Sequence, residues 1–232
     1  MKPTITAFDW VPPCAEGQVR DLRVRWALEE VGQPYEVRYL SQGEHKQPPH
    51  RERQPFGQVP TYEEGDLTLF ESGAIVLHIA DRFDGLMPAD PAARARALGW
   101  AVCALNTVEP PIMDHAIATL FEASKPWSKP RLPSVLERID ERLGELSRRL
   151  GDREWLDGDG FTAGDLLMVS VLRIVIDDGL LDPYENLRAY VARGTARPAF
   201  QRALADQMAG FTGKAPPGFD EWMASLTQGE AA

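Results

Sequence analysis

Gln54-Pro55-Phe56-Gly57-Gln58-Val59-Pro60 and, shortly after it, Leu69-Phe70-Glu71-Ser72-Gly73-Ala74-Ile75 are the stretches on which the reading of this 232-residue chain turns. Between them lie two short runs of strand character, Thr61-Tyr62-Glu63 and Leu67-Thr68-Leu69-Phe70. Only Glu64, Gly65 and Asp66 separate these runs, a spacing that predicts a β-hairpin. Glu71-Ser72 then stands where strand gives way to helix, and Ile75, Val76, Ile79 and Phe83 recur along an inward face. The free N–H groups and positive dipole end of such a helix favour an anion. Ser72 reads as an N-cap or as a donor to a carboxylate, and the two roles are compatible. Val59-Pro60 immediately precedes the first strand. A cis X-Pro bond lies only about 0.5–1 kcal/mol above trans, so a fold can impose one readily.

Working outward toward the N-terminus, residues 4–8 form a strand candidate, followed by a loop with Pro12, Pro13 and Gly17. A helix is predicted over residues 19–31, with Val19, Leu22, Trp26 and Leu28 on its apolar side and Arg20, Arg23, Glu29 and Glu30 polar. Gly32 and Pro34 stop it. Residues 35–40 alternate at period two, so strand, helix and strand make a parallel pair. With the hairpin and the helix from Ser72, the order becomes β-α-β, loop, β-β-α. If the halves share one sheet, this is a thioredoxin-like α/β domain over residues 1–84.

Toward the C-terminus, Asp84-Gly85 and Pro88 to Pro91 mark a boundary. Beyond it, residues 91–232 read as an all-helical domain, with helices at about 91–122, 131–150, 162–178, 183–193 and 196–208, and a short last one near 218–226. Pro110-Pro111 should kink or break the first of these. The helix from Thr162 carries capping-box spacing to Asp165. It is apolar on nearly every side through Leu166 to Ile176, which places it at the centre of its domain.

Composition narrows the function. Thirty-five acidic against 25 basic residues give a net charge of −10, which disfavours phosphate backbones and anionic lipid. No apolar run approaches the roughly 20 residues of a membrane span, and the first residues already read as strand rather than as a signal peptide. The expectation is therefore a cytoplasmic protein with neither nucleic acid nor membrane as partner. Cys14 and Cys103 are the only cysteines. They have no CxxC spacing, and the four histidines lack metal-ligand spacing, so neither a disulfide scaffold nor a metal site is expected.

The motif from Gln54 to Pro60, followed by Leu69 to Ile75, closely resembles the glutathione-binding core of cytosolic glutathione S-transferases. Arg25-Trp26-Ala27-Leu28-Glu29-Glu30-Val31-Gly32 resembles that family's first helix, and Phe161-Thr162-Ala163-Gly164-Asp165 its capped helix in the second domain. The matches fall in order along nearly the whole chain, and a bacterial theta-, beta- or nu-like class is the nearest fit. The resemblance implies a thioredoxin-like domain, a helical domain and a homodimer, with glutathione as co-substrate and no metal. It further implies a cis Val59-Pro60 bond, whose kink would turn the Val59 backbone toward an extended peptide at the sheet edge. Ser72 would take the γ-glutamyl carboxylate and Glu71 the ammonium. His45 or Lys46 would meet the glycine carboxylate, with Gln58 and Gln54 as weaker candidates for that end.

One position departs from the family pattern. Members lower the thiol pKa of glutathione with a Tyr, Ser or Cys after the first strand or at the start of the first helix. No Ser, Thr or Tyr lies between Phe8 and Val31. The candidates are Cys14, suited to mixed-disulfide chemistry if the loop from Trp10 to Gly17 folds over the ligand, Arg20 as a permanent cation near the helix start, and the backbone N–H groups of that helix. Against these stand a plain loop thiol and a solvated arginine. The electrophile pocket is expected between the domains, lined by the loop around Trp10 and Pro12 and by the helix near Trp100 to Met113, on or beside which lie Asn106, Glu109 and His115.

The leading reading is thus a glutathione-dependent transferase acting on small hydrophobic electrophiles in detoxification, or a glutathione-dependent thiol/disulfide reductase. A non-catalytic interaction protein on the same fold is the alternative from another class, and glutathione-dependent isomerisation or dehalogenation is a third. Fold alone does not choose among them.

Overall fold

The computed structural model describes residues 2–158 and 160–219. A four-stranded mixed sheet organises the first part of the chain, in the order β2-β1-β3-β4. The central strand β1 (Thr4–Phe8) runs parallel to β2 (Glu36–Leu40) and antiparallel to β3 (Thr61–Glu64), which pairs in turn with β4 (Leu67–Phe70). The expected hairpin and parallel pair are both present. Thr6 and Thr61 stitch β1 to β3, the Thr61 N–H donating to the Thr6 hydroxyl at 2.7 Å.

Helix α1 (Asp21–Glu30) and helix α3 (Ser72–Arg82) pack together beside the sheet, burying Val24, Leu28, Ile75 and Ile79 with Ile5 and Tyr62. A short helix, α2 (Pro48–Arg51), interrupts the loop before β3. Of the polar residues expected on α1, Arg23 is buried while Arg20, Glu29 and Glu30 stay partly open, and Arg25 is buried as well. The reason is that α1 is clasped on its far side by the helical part of the chain. Arg25 Nε donates to Asp21 at 2.8 Å, and its Nη1 pairs with Asp206.

The helical part begins with α4 (Pro91–Cys103), capped by the Asp90 carboxylate on the Ala93 N–H at 2.7 Å. The single helix expected over 91–122 is instead four joined pieces. A wide π-type turn at Ala104–Val108 leads into α5 (Glu109–Ala116), and a second follows at Ile117–Phe121. Pro110 and Pro111 occupy the first turn of α5, where they offer no N–H and their rings crowd the preceding carbonyls. The widened turn just upstream accommodates both defects.

Three long helices and one buried one complete the domain: α6 (Ser128–Leu150), α7 (Ala163–Leu172), α8 (Glu185–Thr195) and α9 (Pro198–Ala209). Every residue of α7 is buried, as its unbroken apolarity predicted, and it tightens into a 3-10 turn at Arg173–Val175. Its capping box is formed, with Thr162 and Asp165 answering each other. Asp165 also accepts from the Leu156 N–H and the Tyr190 hydroxyl, both at 2.9 Å. After α9 the chain returns to the sheet, where the Gly213 N–H donates to the Asp9 carbonyl at 2.8 Å and Phe219 meets Trp10 edge to face. The helix expected near 218–226, with Trp222, lies almost entirely outside the described residues.

Among the described residues, no helix is long and apolar enough to cross a membrane. Within the same residues, no group of three or more His, Cys, Asp or Glu side chains is arranged to hold a metal ion.

Candidate functional site

Of three pieces of chain at the candidate site, two line a cleft of about 320 Å³ between the sheet and the helical domain, and the remaining one, whose Glu71 and Ser72 are not among the lining residues, meets it through Arg23. The first is the loop from Ser41 to Pro60, which contributes His45, Lys46, Gly57, Gln58 and Val59. It is held by its own side chains. Lys46 Nζ donates to the carbonyls of Gly57 at 2.7 Å and Phe56 at 3.3 Å. His50, buried, meets the Gln58 carbonyl at 2.6 Å, and Gln54 Oε1 accepts from the Phe56 N–H at 2.7 Å. Gly57 has φ of +58°, and a Cβ there would stand 2.6 Å from the His45 carbonyl, so only glycine fits. Partial burial, with the charges of Lys46 and His50, pushes His45 below the usual imidazole range. The Val59-Pro60 bond is cis.

The second piece is the junction of β4 and α3. Glu71 is exposed and holds φ of +69°, the one non-glycine residue among those described with positive φ. Such a backbone costs about 1–3 kcal/mol and recurs where geometry serves a ligand. Ser72 is not the N-cap. It is the first residue of α3 and makes no capping bond, and its buried hydroxyl faces Arg23 Nη1 at 3.5 Å. Gly73 lies directly under Leu105, from the widened turn after α4, leaving no room for a side chain.

The third piece is the start of α1. Gln18, Val19, Arg20 and Arg23 line the cleft, facing Glu109, Met113 and Ile174 of the helical domain and Phe8 from the end of β1. Glu109 accepts from Arg23 through both oxygens, Nη2 to Oε1 at 2.8 Å and Nη1 to Oε2 at 3.4 Å, and from Arg20 Nη2 at 2.8 Å. Burial works to raise the Glu109 pKa, but the two guanidinium groups outweigh it and hold the carboxyl below the usual range. The π-type turn at Ala104–Val108 leads directly into Glu109, which with Met113, about one turn on, faces the cleft.

The structure thus brings together His45, Gln58, Val59 and Arg20, with Ser72 joined to them through Arg23. Cys14 lies elsewhere: it is exposed on the short turn Pro13–Ala15 and is not among the residues lining the cleft. The loop from Trp10 to Gly17 leans away, tied by Gln42 to the Trp10 carbonyl at 2.9 Å and by Arg173 to the Gly17 carbonyl at 3.1 Å. Trp10 and Pro12 consequently border a separate hollow with Pro216, Pro217 and Phe219, rather than the interdomain cleft expected for them. Met113 does line that cleft.

Family models for the glutathione S-transferase N-terminal and C-terminal domains match residues 4–81 and 108–198. A glutathione S-transferase of Hyoscyamus muticus is 32% identical over 181 residues, covering 71% of this chain and 82% of the relative. The chain belongs to the glutathione S-transferase family. Glutathione S-transferase F6 of Arabidopsis thaliana is similar at 31% identity, over 78% of this chain and 92% of its own length. Among solved structures, a glutathione transferase family member from Pseudomonas fluorescens pf-5, with two glutathione bound, superposes with a TM-score of 0.78 at 25% identity, covering 88% of this chain and 92% of that one. The fold class read from the sequence, a thioredoxin-like domain followed by a helical one, is that of these glutathione S-transferases.

Within this transferase, sequence reasoning missed Arg23 and His50 as parts of the site, and it named Glu109 only as lying on or beside the pocket helix, without its arginine partners. Glu109 carried one signal, its place beside Pro110-Pro111, but nothing local indicates which way it points. His50 lies just before the recognised motif and Gln54 opens it, and both satisfy the loop's own backbone.

Proposed function

We propose that this glutathione-dependent transferase binds glutathione along the cleft and ionises its thiol at the start of α1, with Arg20 as the stabilising cation. In this reading Ser72 and Glu71 take the γ-glutamyl end, and the Val59 backbone pairs with the cysteinyl peptide. His45, Lys46 and Gln58 take the glycine end. The observation that carries it is the convergence of Gln58, Val59, His45 and Arg20 on one hollow. A permanent cation beside the helix N-terminus favours thiolate as a hydroxyl does in relatives. The thiolate sulfur then bonds to an electrophilic carbon while the leaving group departs with its electron pair, and the thiol proton passes to solvent.

The class is proposed as bacterial and theta-, beta- or nu-like, although the curated relatives named above are plant enzymes. A homodimer is proposed from apolar side chains left open on both parts of the chain. Phe56, 64% exposed, lies near Phe70 on the sheet side, and Leu98 and Val102 are open on α4. A cytoplasmic, detoxifying role toward small hydrophobic electrophiles completes the reading. Disulfide reduction is the second reading, favoured by the two glutathiones in the Pseudomonas fluorescens relative and by the absence of a hydroxyl between Phe8 and Val31. There, one glutathione thiolate opens the disulfide and a second resolves the mixed disulfide, the pair supplying both electrons. Cys14, exposed on the turn Pro13–Ala15 outside the cleft, would enter as an alternative thiol only if that loop folded over the ligand.

Calorimetric titration of glutathione into the wild-type protein and the Glu71→Ala and Ser72→Ala variants tests the site. Micromolar to millimolar binding, weakened about tenfold or more in both variants, supports it. An absence of binding by the wild type overturns it in favour of a non-catalytic interaction protein.

A further inference from the structure

Glu109 is one carboxylate shared by two arginines, and the sharing is unequal. Arg23 takes both of its oxygens, whereas Arg20 takes Oε1 alone. The Arg23 and Glu109 side chains are 5% and 8% exposed, but Arg20 is 42% exposed. The three groups together carry one net positive charge, and it falls on the member that faces the open cleft. Among the described residues, the bond to Glu109 is the only hydrogen bond that the Arg20 guanidinium makes. Four of its five N–H groups are left for a ligand. The neighbouring wall is apolar, formed by Val19, Met113 and Ile174 with Phe8.

An apolar hollow with one fixed cation on its wall suits a small molecule that is mostly hydrophobic and carries one carboxylate. The setting sharpens this, because the chain as a whole is strongly acidic and holds anions off elsewhere. We propose that Arg20 recognises an anionic group on the second substrate, so that the enzyme prefers carboxylate-bearing electrophiles, and that Glu109 sets the strength of this preference by partly neutralising Arg20. The proposal rests on the glutathione reading of the cleft, in which the peptide's own carboxylates go to Ser72 and to the Lys46 end. With four N–H groups left after Glu109, Arg20 serves the thiolate and the incoming anion together.

The test compares kcat/KM for chlorodinitrobenzene and for its carboxylate-bearing analogue, chlorodinitrobenzoate. In each reaction the thiolate forms the S–C bond and chloride leaves with its electron pair. Any contribution of Arg20 to thiol ionisation enters both values and cancels in their ratio. Arg20→Met is expected to lower the benzoate-to-benzene ratio about tenfold, the scale of one partly exposed charged contact. Arg20→Lys should keep most of the ratio, and Glu109→Gln should raise it. Titrating the two glutathione conjugates by calorimetry reads the same ratio without turnover. An unchanged ratio in Arg20→Met by both readouts overturns the proposal, as does an equal fall in the ratio in Arg20→Lys, which keeps the positive charge. The two failures are distinct. If the wild type does not bind glutathione, the reading of the cleft is wrong; if it binds and the ratio ignores Arg20, only the charge recognition is wrong.

Discussion

Arg23 of α1 and Glu109 of α5, 86 residues apart in sequence, form a two-pronged ion pair across the domain junction, at 2.8 and 3.4 Å. The same guanidinium reaches the Ser72 hydroxyl, so one side chain touches the sheet-side site and the helical domain together.

Because both partners are nearly buried, removing one charge strands the other. Glu109→Gln is expected to lose about 2–4 kcal/mol of stability at neutral pH. The Glu109 pKa lies below its unfolded value. The ionised pair therefore contributes fully above the unfolded glutamate pKa of about 4.3, and less as pH falls through the lower folded value. Urea denaturation of both proteins should show a constant difference from neutral pH down to about 5, narrowing below about 4. A gap that persists undiminished into acid would contradict the pairing.

Ser72→Ala separates binding from capping. The hydroxyl makes no capping bond and sits 3.5 Å from Arg23, so the ligand-free melting curve should shift by no more than about 0.5 kcal/mol. Glutathione affinity should fall about tenfold, the scale of one lost hydrogen bond to a charged group. A serine that mattered only to the helix would give the opposite pattern.

Glu71→Gly trades function for stability. Glycine adopts the positive φ of residue 71 without strain, so the variant should unfold about 1 kcal/mol later despite its greater chain entropy. Calorimetry should show weakened glutathione binding, since the ammonium loses its partner. A variant that is both less stable and equally tight would show that the backbone is not strained there.

Asp165→Ala should act on the fold alone. The carboxylate accepts from the Leu156 N–H, the Thr162 N–H and hydroxyl, and the Tyr190 hydroxyl, at 2.9 to 3.0 Å. Stranding these donors costs about 3–5 kcal/mol. Glutathione affinity of the folded fraction, measured well below the melting temperature, should stay at the wild-type value.

What could be read from the sequence was what is local in sequence. The apolar run through Leu166 and Ile174 announced a central helix, Thr162 and Asp165 announced its cap, and the strand pairs around Glu64-Gly65-Asp66 announced the hairpin. Gln54 to Pro60 and Leu69 to Ile75 marked the candidate site because each is a continuous stretch. Arg23 defeated the reading for the opposite reason. Its helix looks amphipathic by itself, and only the packing of a second domain buries Arg23 while leaving Arg20 partly open. The split of residues 91–122 was signalled by Pro110-Pro111, but whether two missing N–H groups give a break or a widened turn depends on what Leu105 and Glu109 pack against. The lean of the Trp10 loop is set by Gln42, Arg173 and Gly213, all distant in sequence.

The return of the chain after α9 has one more consequence. Asp206 accepts from buried Arg25 and from the Tyr35 hydroxyl, Tyr39 lies over Gly210, and the Gly213 N–H closes onto Asp9. The thioredoxin-like half is therefore not a portable module. Severed at the proposed boundary between residues 84 and 91, it would uncover the face of α1 and the flank of β2 that the helical part shields, with Arg25 keeping Asp21 but losing Asp206. The two halves should melt as a single foldon, and grafting the first onto another helical partner should fail unless a counterpart of Asp206 travels with it.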